Sequence, residues 1–246
     1  RGAFLTWTSD DNFFAKDAIA RMVEFLQQSG CDFVYADYYL FSDTDEHGQP
    51  QVIRRDSLPD ALELEKGNRV GACFMYTREV YETIGEYDPE LFLVEDYDYF
   101  IRIAQRFRLG HLPEALYFFR RDDETLYCSR FREVKASDVL VRFKNGLLGP
   151  ADAIEAVVQL ILRAADGLRN PYWRWSLRAV PKLSYRLGRV HRKLLAAHLR
   201  RRLGVRMLPL LRDYEAGHRP FSETRDALSA LMTDFGDITY SSPPPK

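Results

Sequence analysis

Along the first half of the chain, two kinds of segment alternate. In one kind the composition and spacing of apolar residues are typical of strands, and in the other the apolar residues recur at helical spacing. Four aromatic-rich or β-branched runs predict strands: residues 3–8, Cys31–Phe41, Arg69–Thr77 and Leu116–Phe119. Apolar residues recur at helical spacing in three further segments: residues 15–28, Arg78–Ile84 and Glu95–Phe107. Ser42–Pro50 is polar and predicts a turn. Strands that alternate with helices in this way indicate a layered α/β fold.

The strand pattern ends near residue 128, and the remainder predicts helices. Ala151–Ala165 is clearly amphipathic, residues 183–203 predict another helix, and residues 241–246 predict a disordered tail. We therefore expect an α/β domain over residues 1–127 and a helical extension over residues 128–240.

Charge is distributed unevenly although the formal net charge is only -1. Twelve Lys or Arg residues and no Asp or Glu fall between Pro171 and Arg212. The segment also carries four aromatic residues and an apolar stripe at helical spacing: Tyr172, Trp173, Trp175 and Tyr185, with Leu183, Leu187, Val190, Leu194, Leu195 and Leu199. A basic amphipathic helix suits an anionic membrane surface or another polyanion, and a solvated helix face is the ordinary alternative.

The three cysteines are widely spaced and form no CxxC pair, which favours a reducing, cytoplasmic compartment over a disulfide framework. No apolar run reaches the roughly 18 residues of a membrane-spanning helix. A peripheral position at the inner face of the membrane is compatible with the basic segment.

Acidic residues cluster at two boundaries between predicted elements. Asp10 and Asp11 follow the first strand, and Glu95 and Asp96 open a helix. Paired Asp oxygens suit a hard divalent cation, and a carboxylate at a helix start suits a base, which together serve the displacement of a phosphate leaving group. Turn formation and helix capping are the ordinary alternatives for these acids. His111 has no evident ligand partner, which favours a structural role.

The order of several motifs resembles the GT-A fold of family 2 glycosyltransferases over about residues 1–127. The segments that carry the resemblance are Gly2–Asn12, Phe33–Asp37, Asn68–Phe74, Ile84–Asp88, Val94–Tyr99 with Arg102, and Leu116–Arg121. The resemblance implies an incomplete GT-A-type mixed sheet flanked by helices, followed by the α-helical extension. It also implies inverting transfer from a nucleotide sugar to an acceptor hydroxyl of a glycan or lipid-linked acceptor, as in bacterial surface glycan or glycolipid synthesis.

The resemblance assigns roles to single positions. Asp10 and Asp11 match the site for Mg2+ or Mn2+ and the donor diphosphate, Asp96 matches the base, and Glu95 matches a residue that positions the acceptor or its loop. Thr8 stands where many members have Asp. Asp122 stands where a His often touches the metal, so Asp122 is a candidate third ligand.

No strand–helix unit precedes Arg1 in the sequence, and we interpret the chain as a fragment without the nucleotide-binding half. We expect the isolated chain to be inactive and prone to associate. Two alternatives stay open: a metal-dependent phosphohydrolase and a non-catalytic module that binds anionic lipid or a polyanion. A nucleic-acid partner is not expected.

Overall fold

A computed structural model describes residues 2–60, 63–122, 124–167 and 181–235, without the side chains of residues 165–167 and 181–189. The strands are β1 (Phe4–Leu5), β2 (Phe13–Phe14), β3 (Phe33–Thr44), β4 (Pro50–Asp56), β5 (Phe74–Thr77) and β6 (Leu109–Arg120). The helices are α1 (Ala18–Ser29), α2 (Arg78–Ile84), α3 (Glu95–Ala104), α4 (Leu126–Ser129), α5 (Phe131–Lys144), α6 (Pro150–Gly167), α7 (Pro181–Glu215) and α8 (Phe221–Thr233). A short 3-10 turn spans Leu64–Lys66.

The six strands form one mixed sheet, which confirms the predicted α/β fold class. Its order is β1-β5-β3-β6-β2, and β4 pairs with the part of β3 that lies beyond β5. β3 and β6 run parallel, whereas every other pairing is antiparallel. The central strand β3 therefore has a neighbour on each side along most of its length.

Alternation along β3 sends its side chains to two different layers. Val34 and Ala36 face α1, where Met22 and Leu26 complete a buried cluster. Phe33 lies on the opposite face, in edge contact with Phe100 of α3 at a centroid distance of 5.6 Å. The sheet is thus covered by helices on both faces, and this explains why β3 reads as a nearly continuous apolar run.

Several predicted boundaries differ from the structure for local reasons. The strand predicted at residues 3–8 pairs only at Phe4–Leu5, because the following residues turn across the sheet. The predicted turn at Ser42–Pro50 is shorter, since β3 continues to Thr44 and β4 begins at Pro50. β6 begins at Leu109 rather than Leu116, because parallel pairing with β3 starts at Phe33 and continues through a register shift.

The described residues after Ser129 form helices and the turns between them, and two of these helices, α5 and α8, were missed by the sequence pattern. The chain folds into two compact units. The first holds the described residues up to Pro89 and Val94–Ser129, and the second holds Glu90–Leu93 and the described residues from Arg130 onward. The predicted domain boundary at residues 127 and 128 and the tail at 241–246 stay predictions, and the tail lies outside the described residues. No described helix is long and apolar enough to cross a membrane.

Gly71 offers a direct test of the packing between β3 and the segment before β5. Its φ is +74°, and a Cβ there would lie 2.6 Å from Cε1 of Tyr38. Gly48 has the same φ of +74° but no atom within 4 Å of a Cβ. Both Gly→Ala changes should cost about 1–2 kcal/mol for the left-handed backbone. Gly71→Ala should cost a further 1–3 kcal/mol or so for the overlap with Tyr38.

The measurement is the free energy of unfolding of the two variants in denaturant. Gly48→Ala is the matched control, because it carries the backbone cost without the overlap. Equal losses of stability in the two variants would contradict the packing described here.

Candidate active site

The acidic segment Thr8–Asn12 lies on a loop that crosses one end of the sheet. The loop leaves β1 at one edge and enters β2 at the other, so it passes the ends of β5, β3 and β6. The Thr6 hydroxyl donates to the backbone oxygen of Phe74 at 2.6 Å, and the Thr8 hydroxyl lies 2.6 Å from that of Tyr117. The backbone N–H of Arg120 donates to Asn12 Oδ1 at 2.6 Å. The loop is therefore fastened to β5 and to β6.

Asp10 and Asp11 occupy the middle of this loop and differ in their contacts. Both side chains are exposed. Asp11 Oδ1 accepts from the Ser9 hydroxyl at 2.7 Å and from the Asn12 amide at 2.8 Å. Asp10 has no hydrogen bond or ion pair with any residue that the structure describes. The loop thus orients one carboxylate and leaves the adjacent one free to bind.

Asp122 lies near the same loop, but its carboxylate already contacts residues of its own turn. Arg120, whose backbone contacts Asn12, places its Nε 2.8 Å from Asp122 Oδ2. Asp122 Oδ1 accepts from the backbone N–H groups of Glu124 and Thr125, each at 3.0 Å. To bind a metal, the Asp122 carboxylate would have to give up these contacts. Its role as a metal ligand stays a prediction.

The chemistry of the acidic loop fits a hard cation in part. Asp10 and Asp11 offer carboxylate oxygens on an exposed loop, where water and ligand oxygens can complete the coordination that Mg2+ or Mn2+ requires. Within the described ranges, no three His, Cys, Asp or Glu side chains are placed together to hold a metal. The residues therefore fit a two-carboxylate site completed by a ligand, and the metal itself stays a prediction.

Asp96 lies in the first turn of α3, together with Glu95 and Asp98. Its Oδ1 accepts from the backbone N–H of Tyr97 at 2.6 Å, and its Oδ2 accepts from the side-chain amide of Asn68 at 3.2 Å. Burial, followed by the nearby charge of Glu95, raises the pKa of Asp96 to about 7, although both hydrogen bonds lower it. A carboxyl group with a pKa near 7 can accept a proton and release it again at neutral pH.

The other acids of this turn are arranged differently. The Glu95 side chain is exposed, so it is free to meet a ligand. Asp98 is fully buried and accepts from Arg102 Nε at 2.7 Å. Arg102 also donates to the backbone oxygens of Ile84 and Glu86 at 3.0 and 3.1 Å. Asp98 and Arg102 therefore fasten α3 to the end of α2, and Asp96 remains the partly exposed acid between them and Asn68.

Trp7 and Tyr87 connect the acidic loop with the neighbourhood of Asp96. The Trp7 indole N–H donates to the Tyr87 hydroxyl at 3.0 Å, and the Tyr87 ring stacks on Tyr99 of α3 at 4.4 Å. Burial chiefly raises the pKa of Tyr87, and the charge of Asp96 contributes in the same direction. The two predicted acidic groups therefore share one region of the first unit, with a 44% exposed indole between them.

Two features of this region were not apparent from the acidic motifs. The first is Asn68. The motif Asn68–Phe74 gave this residue no individual role, and its contact with Asp96 forms because the segment approaches α3. The expectation that His111 lacks a partner is wrong, because its ring nitrogens lie 2.8 Å from Asp37 Oδ1 and 2.6 Å from Asp60 Oδ1. Sequence spacing gives no signal for this contact, since Asp37 and His111 meet only through the parallel pairing of β3 with β6.

Comparison with known proteins agrees with the motifs of the first unit. Residues 1–85 match the family described as Glycosyl transferase family 2. A 118-residue region is 25% identical to the "Uncharacterized glycosyltransferase YwdF" of Bacillus subtilis (strain 168), covering 46% of this chain and 43% of that protein. The chain thus spans less than half the length of this curated relative.

Among solved structures, the chain is similar to crystal structures of TarS from S. aureus. The crystal structure of TarS 1-349 in complex with UDP-GlcNAc aligns with 100% of this chain and 72% of its own, at 14% identity and a TM-score of 0.42. A second TarS crystal structure aligns with 65% of this chain and 28% of its own, at 16% identity and a TM-score of 0.40.

The raised pKa of Asp96 predicts a specific dependence of stability on pH. Its folded value of about 7 lies above the ordinary 3.8, so folding favours the neutral form. The free energy of unfolding should therefore fall as the pH rises from about 4 to about 7, by roughly 1.4 kcal/mol per unit of pKa difference at most. Asp96→Asn should remove this fall, so the variant should gain stability over the wild type at about pH 8.

Denaturant unfolding of both proteins at about pH 4 and about pH 8 is the measurement. Glu79→Gln, at an exposed position in α2, is the control for loss of one negative charge. An Asp96→Asn effect of the same size at both pH values would show that Asp96 has an ordinary pKa.

Proposed function

We propose, from the match of residues 1–85 to the family described as Glycosyl transferase family 2, that the chain is the acceptor-side part of an inverting glycosyltransferase. The reaction moves a sugar from a nucleotide-sugar donor to an acceptor hydroxyl, in the synthesis of a bacterial surface glycan or glycolipid. The observation that carries the proposal is the environment of Asp96: a partly buried carboxyl with a pKa near 7, fixed by Asn68 and by the start of α3.

Asp96 acts in this proposal as the general base. Its carboxylate accepts the proton of the acceptor hydroxyl while that oxygen attacks the anomeric carbon of the donor sugar, and the bond from that carbon to the diphosphate oxygen breaks. Transfer with a single displacement inverts the anomeric centre. Glu95, exposed on the same turn, is proposed to position the acceptor.

Asp10 and Asp11 are proposed to hold a cation that stabilises the leaving diphosphate. A Mg2+ or Mn2+ ion held by these carboxylates would supply positive charge that stabilises the departing diphosphate. Asp10 is the stronger candidate for direct ligation because its carboxylate has no competing contact within the described residues. Asp11 is held by Ser9 and Asn12, so its orientation is fixed before a ligand arrives.

The same acids could serve a metal-dependent phosphohydrolase, which was an alternative from the sequence. The family match supports transfer to an acceptor rather than to water. The nucleotide-binding portion is proposed to belong to the full-length protein, and the isolated chain is proposed to be inactive. The assays below therefore use the full-length protein.

Asp96→Asn should lower turnover by at least about a hundredfold, because the amide cannot accept the hydroxyl proton. Affinity for the nucleotide-sugar donor should stay within about twofold of the wild type. The measurement is initial-rate kinetics together with donor titration by calorimetry, with Glu79→Gln as the control. Near-normal turnover of Asp96→Asn would eliminate the proposed base.

Asp10→Ala should weaken metal-dependent donor binding without loss of stability, since its side chain is exposed and holds no other element in place. EDTA should abolish the same part of the binding in the wild type. Asp17→Asn, another exposed Asp near the start of α1, is the matched control. Donor affinity that is insensitive to both EDTA and Asp10→Ala would contradict the cation site.

Helix α7 supports a second proposal, that the protein contacts an anionic membrane surface. One face of this helix is buried against its neighbours in the second unit, through Ala196, Leu199, Leu203, Met207 and Leu211. The predicted stripe is thus divided. Leu199 joins the buried face, Leu194 is exposed, and the described side chains do not include Leu183, Leu187 and Tyr185. Tyr172, Trp173 and Trp175 lie outside the described residues.

The outer face of α7 combines apolar and basic side chains. Val190, Leu194 and Val205 are 55%, 67% and 73% exposed, and they recur with exposed Arg201 at a spacing that places them on one side of the helix. No Asp or Glu occurs in the chain between Pro171 and Arg212. Charge complementarity therefore favours an anionic lipid surface, which receives the apolar side chains between its headgroups.

The full-length protein should float with vesicles of phosphatidylglycerol and phosphatidylcholine and stay in solution with phosphatidylcholine alone. High salt should release it, because each basic residue contributes only about 1 kcal/mol and salt screens that attraction. Leu194→Glu should reduce flotation, whereas Ile19→Glu, 45% exposed on α1, should not. Equal behaviour with both vesicle types would reject the membrane surface.

A further inference from the structure

Trp7 is an exposed aromatic residue whose backbone is fixed on both sides. It lies directly before the acidic segment, and its side chain is 44% exposed. The Thr6 hydroxyl donates to the backbone oxygen of Phe74 in β5 at 2.6 Å, and the Thr8 hydroxyl lies 2.6 Å from that of Tyr117 in β6. Both neighbours of Trp7 are therefore fastened to the sheet, although its own side chain stays at the surface.

The orientation of the indole is fixed as well. Its N–H donates to the Tyr87 hydroxyl at 3.0 Å, and its ring meets the Phe74 ring edge-on at a centroid distance of 5.8 Å. No ring of a described residue stacks face to face on it. The N–H is the only polar group of a Trp side chain, and here it already has a partner. The exposed part of the indole therefore offers a ligand apolar ring surface.

Carboxylates lie on both sides of this apolar surface. Asp10 and Asp11 follow Trp7 within four residues, and both are exposed. On the other side, the Tyr87 hydroxyl that accepts from the indole lies within the influence of Asp96. Burial chiefly raises the pKa of Tyr87, and the charge of Asp96 raises it further. The indole is thus placed between the proposed leaving-group site and the proposed base.

The proposed reaction requires the acceptor to lie in this same region. In a single displacement the attacking hydroxyl stands between the base and the anomeric carbon, so the body of the acceptor lies beside the base. A pyranose ring suits an exposed indole, because the C–H groups of one ring face form a flat apolar patch while the hydroxyls project around the rim. An acyclic polyol has no such patch. The fixed indole also loses little conformational freedom when a ligand binds.

We propose that Trp7 is a specificity-determining residue for the acceptor: the C–H face of a pyranose ring stacks on its indole, and a hydroxyl of that ring points towards Asp96. The inference rests on the proposed function, because it identifies the ligand at Trp7 as the acceptor. It narrows the acceptor to one that presents a sugar ring, rather than an acyclic polyol, at the attacking end. Trp7 contacts the acceptor and takes no part in the transfer of the proton.

Two substitutions separate contact with a sugar from a structural role. Trp7→Leu removes the flat ring, whereas Trp7→Phe keeps an aromatic ring and lacks the N–H. A role that depended only on the hydrogen bond to Tyr87 would be lost equally in both variants. Ile53→Ala, at a 55% exposed position on β4, is the matched control for loss of exposed apolar surface.

The first measurement is saturation-transfer NMR of the full-length protein with three pyranosides and one acyclic polyol. The probes are methyl β-glucopyranoside, methyl β-galactopyranoside, N-acetylglucosamine and glycerol. We expect transfer from aromatic protons to the C–H groups of at least one pyranoside and none to glycerol. The absence of transfer to every pyranoside, or equal transfer to glycerol, would overturn the inference.

The second measurement is the Kd of the pyranoside that gives the strongest transfer, obtained by NMR titration. In Trp7→Leu the Kd should rise about tenfold, equivalent to about 1.4 kcal/mol, which is the scale of an aromatic stacking contact. In Trp7→Phe and Ile53→Ala it should stay within about threefold of the wild type. A Kd raised about tenfold in Trp7→Phe would overturn the inference, and this test remains decisive if Trp7→Leu fails to fold.

The third measurement distinguishes the acceptor from the sugar of the donor. Affinity for the nucleotide-sugar donor, titrated by calorimetry as for Asp96→Asn, should be equal in the wild type and in Trp7→Phe and Trp7→Leu. A loss of donor affinity that matches the loss of pyranoside affinity would place the indole at the donor sugar and overturn the assignment. Normal turnover of Asp96→Asn would instead overturn the proposed function, because the pyranoside titrations do not depend on turnover.

Discussion

The parallel pairing of β3 with β6 is the interaction on which the rest of the first unit depends. It runs from Phe33 with Leu109 to Phe41 with Arg120, and it is the longest strand pair among the described residues. β6 then receives β2, and its last residues hold the acidic loop through Tyr117 and Arg120. The same pairing brings His111 beside Asp37. Both the placement of the proposed leaving-group site and the contact of His111 with Asp37 are therefore consequences of one strand register.

Asp96 shows how local structure and burial oppose each other at the site. The start of α3 and two hydrogen bonds favour an ionised carboxylate, while burial and the charge of Glu95 favour the neutral acid. Burial and repulsion are stronger, and the resulting pKa near 7 is suited to proton transfer at neutral pH. Asp98, two residues further along the same turn, is buried more deeply but binds Arg102, so it serves packing between α2 and α3.

The sequence was sufficient for features that depend on local pattern. The α/β class, helix α2 and the position of Asp96 at a helix start follow from periodicity and from the order of motifs. Long-range pairing was not accessible in the same way. The first half of β6 was missed because Leu109–Glu114 mixes polar and apolar residues without alternation, and its strand conformation comes from pairing with β3. The His111 contacts were missed for the same reason.

Helix α7 shows a second limit of prediction from the sequence pattern. The stripe on α7 predicted one apolar face, but α6 and α8 cover only the row that contains Leu199 and Leu203, so Leu194 remains at the surface. Helical spacing alone does not identify which row of a long helix will be covered, since the answer depends on where neighbouring helices lie.

The most direct test of the central claim is the 13C NMR titration of the Asp96 side-chain carboxyl in this chain. We expect a midpoint near pH 7. Glu95→Gln should move this midpoint to a lower pH, because it removes the neighbouring charge and leaves the burial and both hydrogen bonds in place. A midpoint near the ordinary Asp value of 3.8 in the wild type, unaltered by Glu95→Gln, would contradict the assignment of Asp96 as a base tuned by its surroundings.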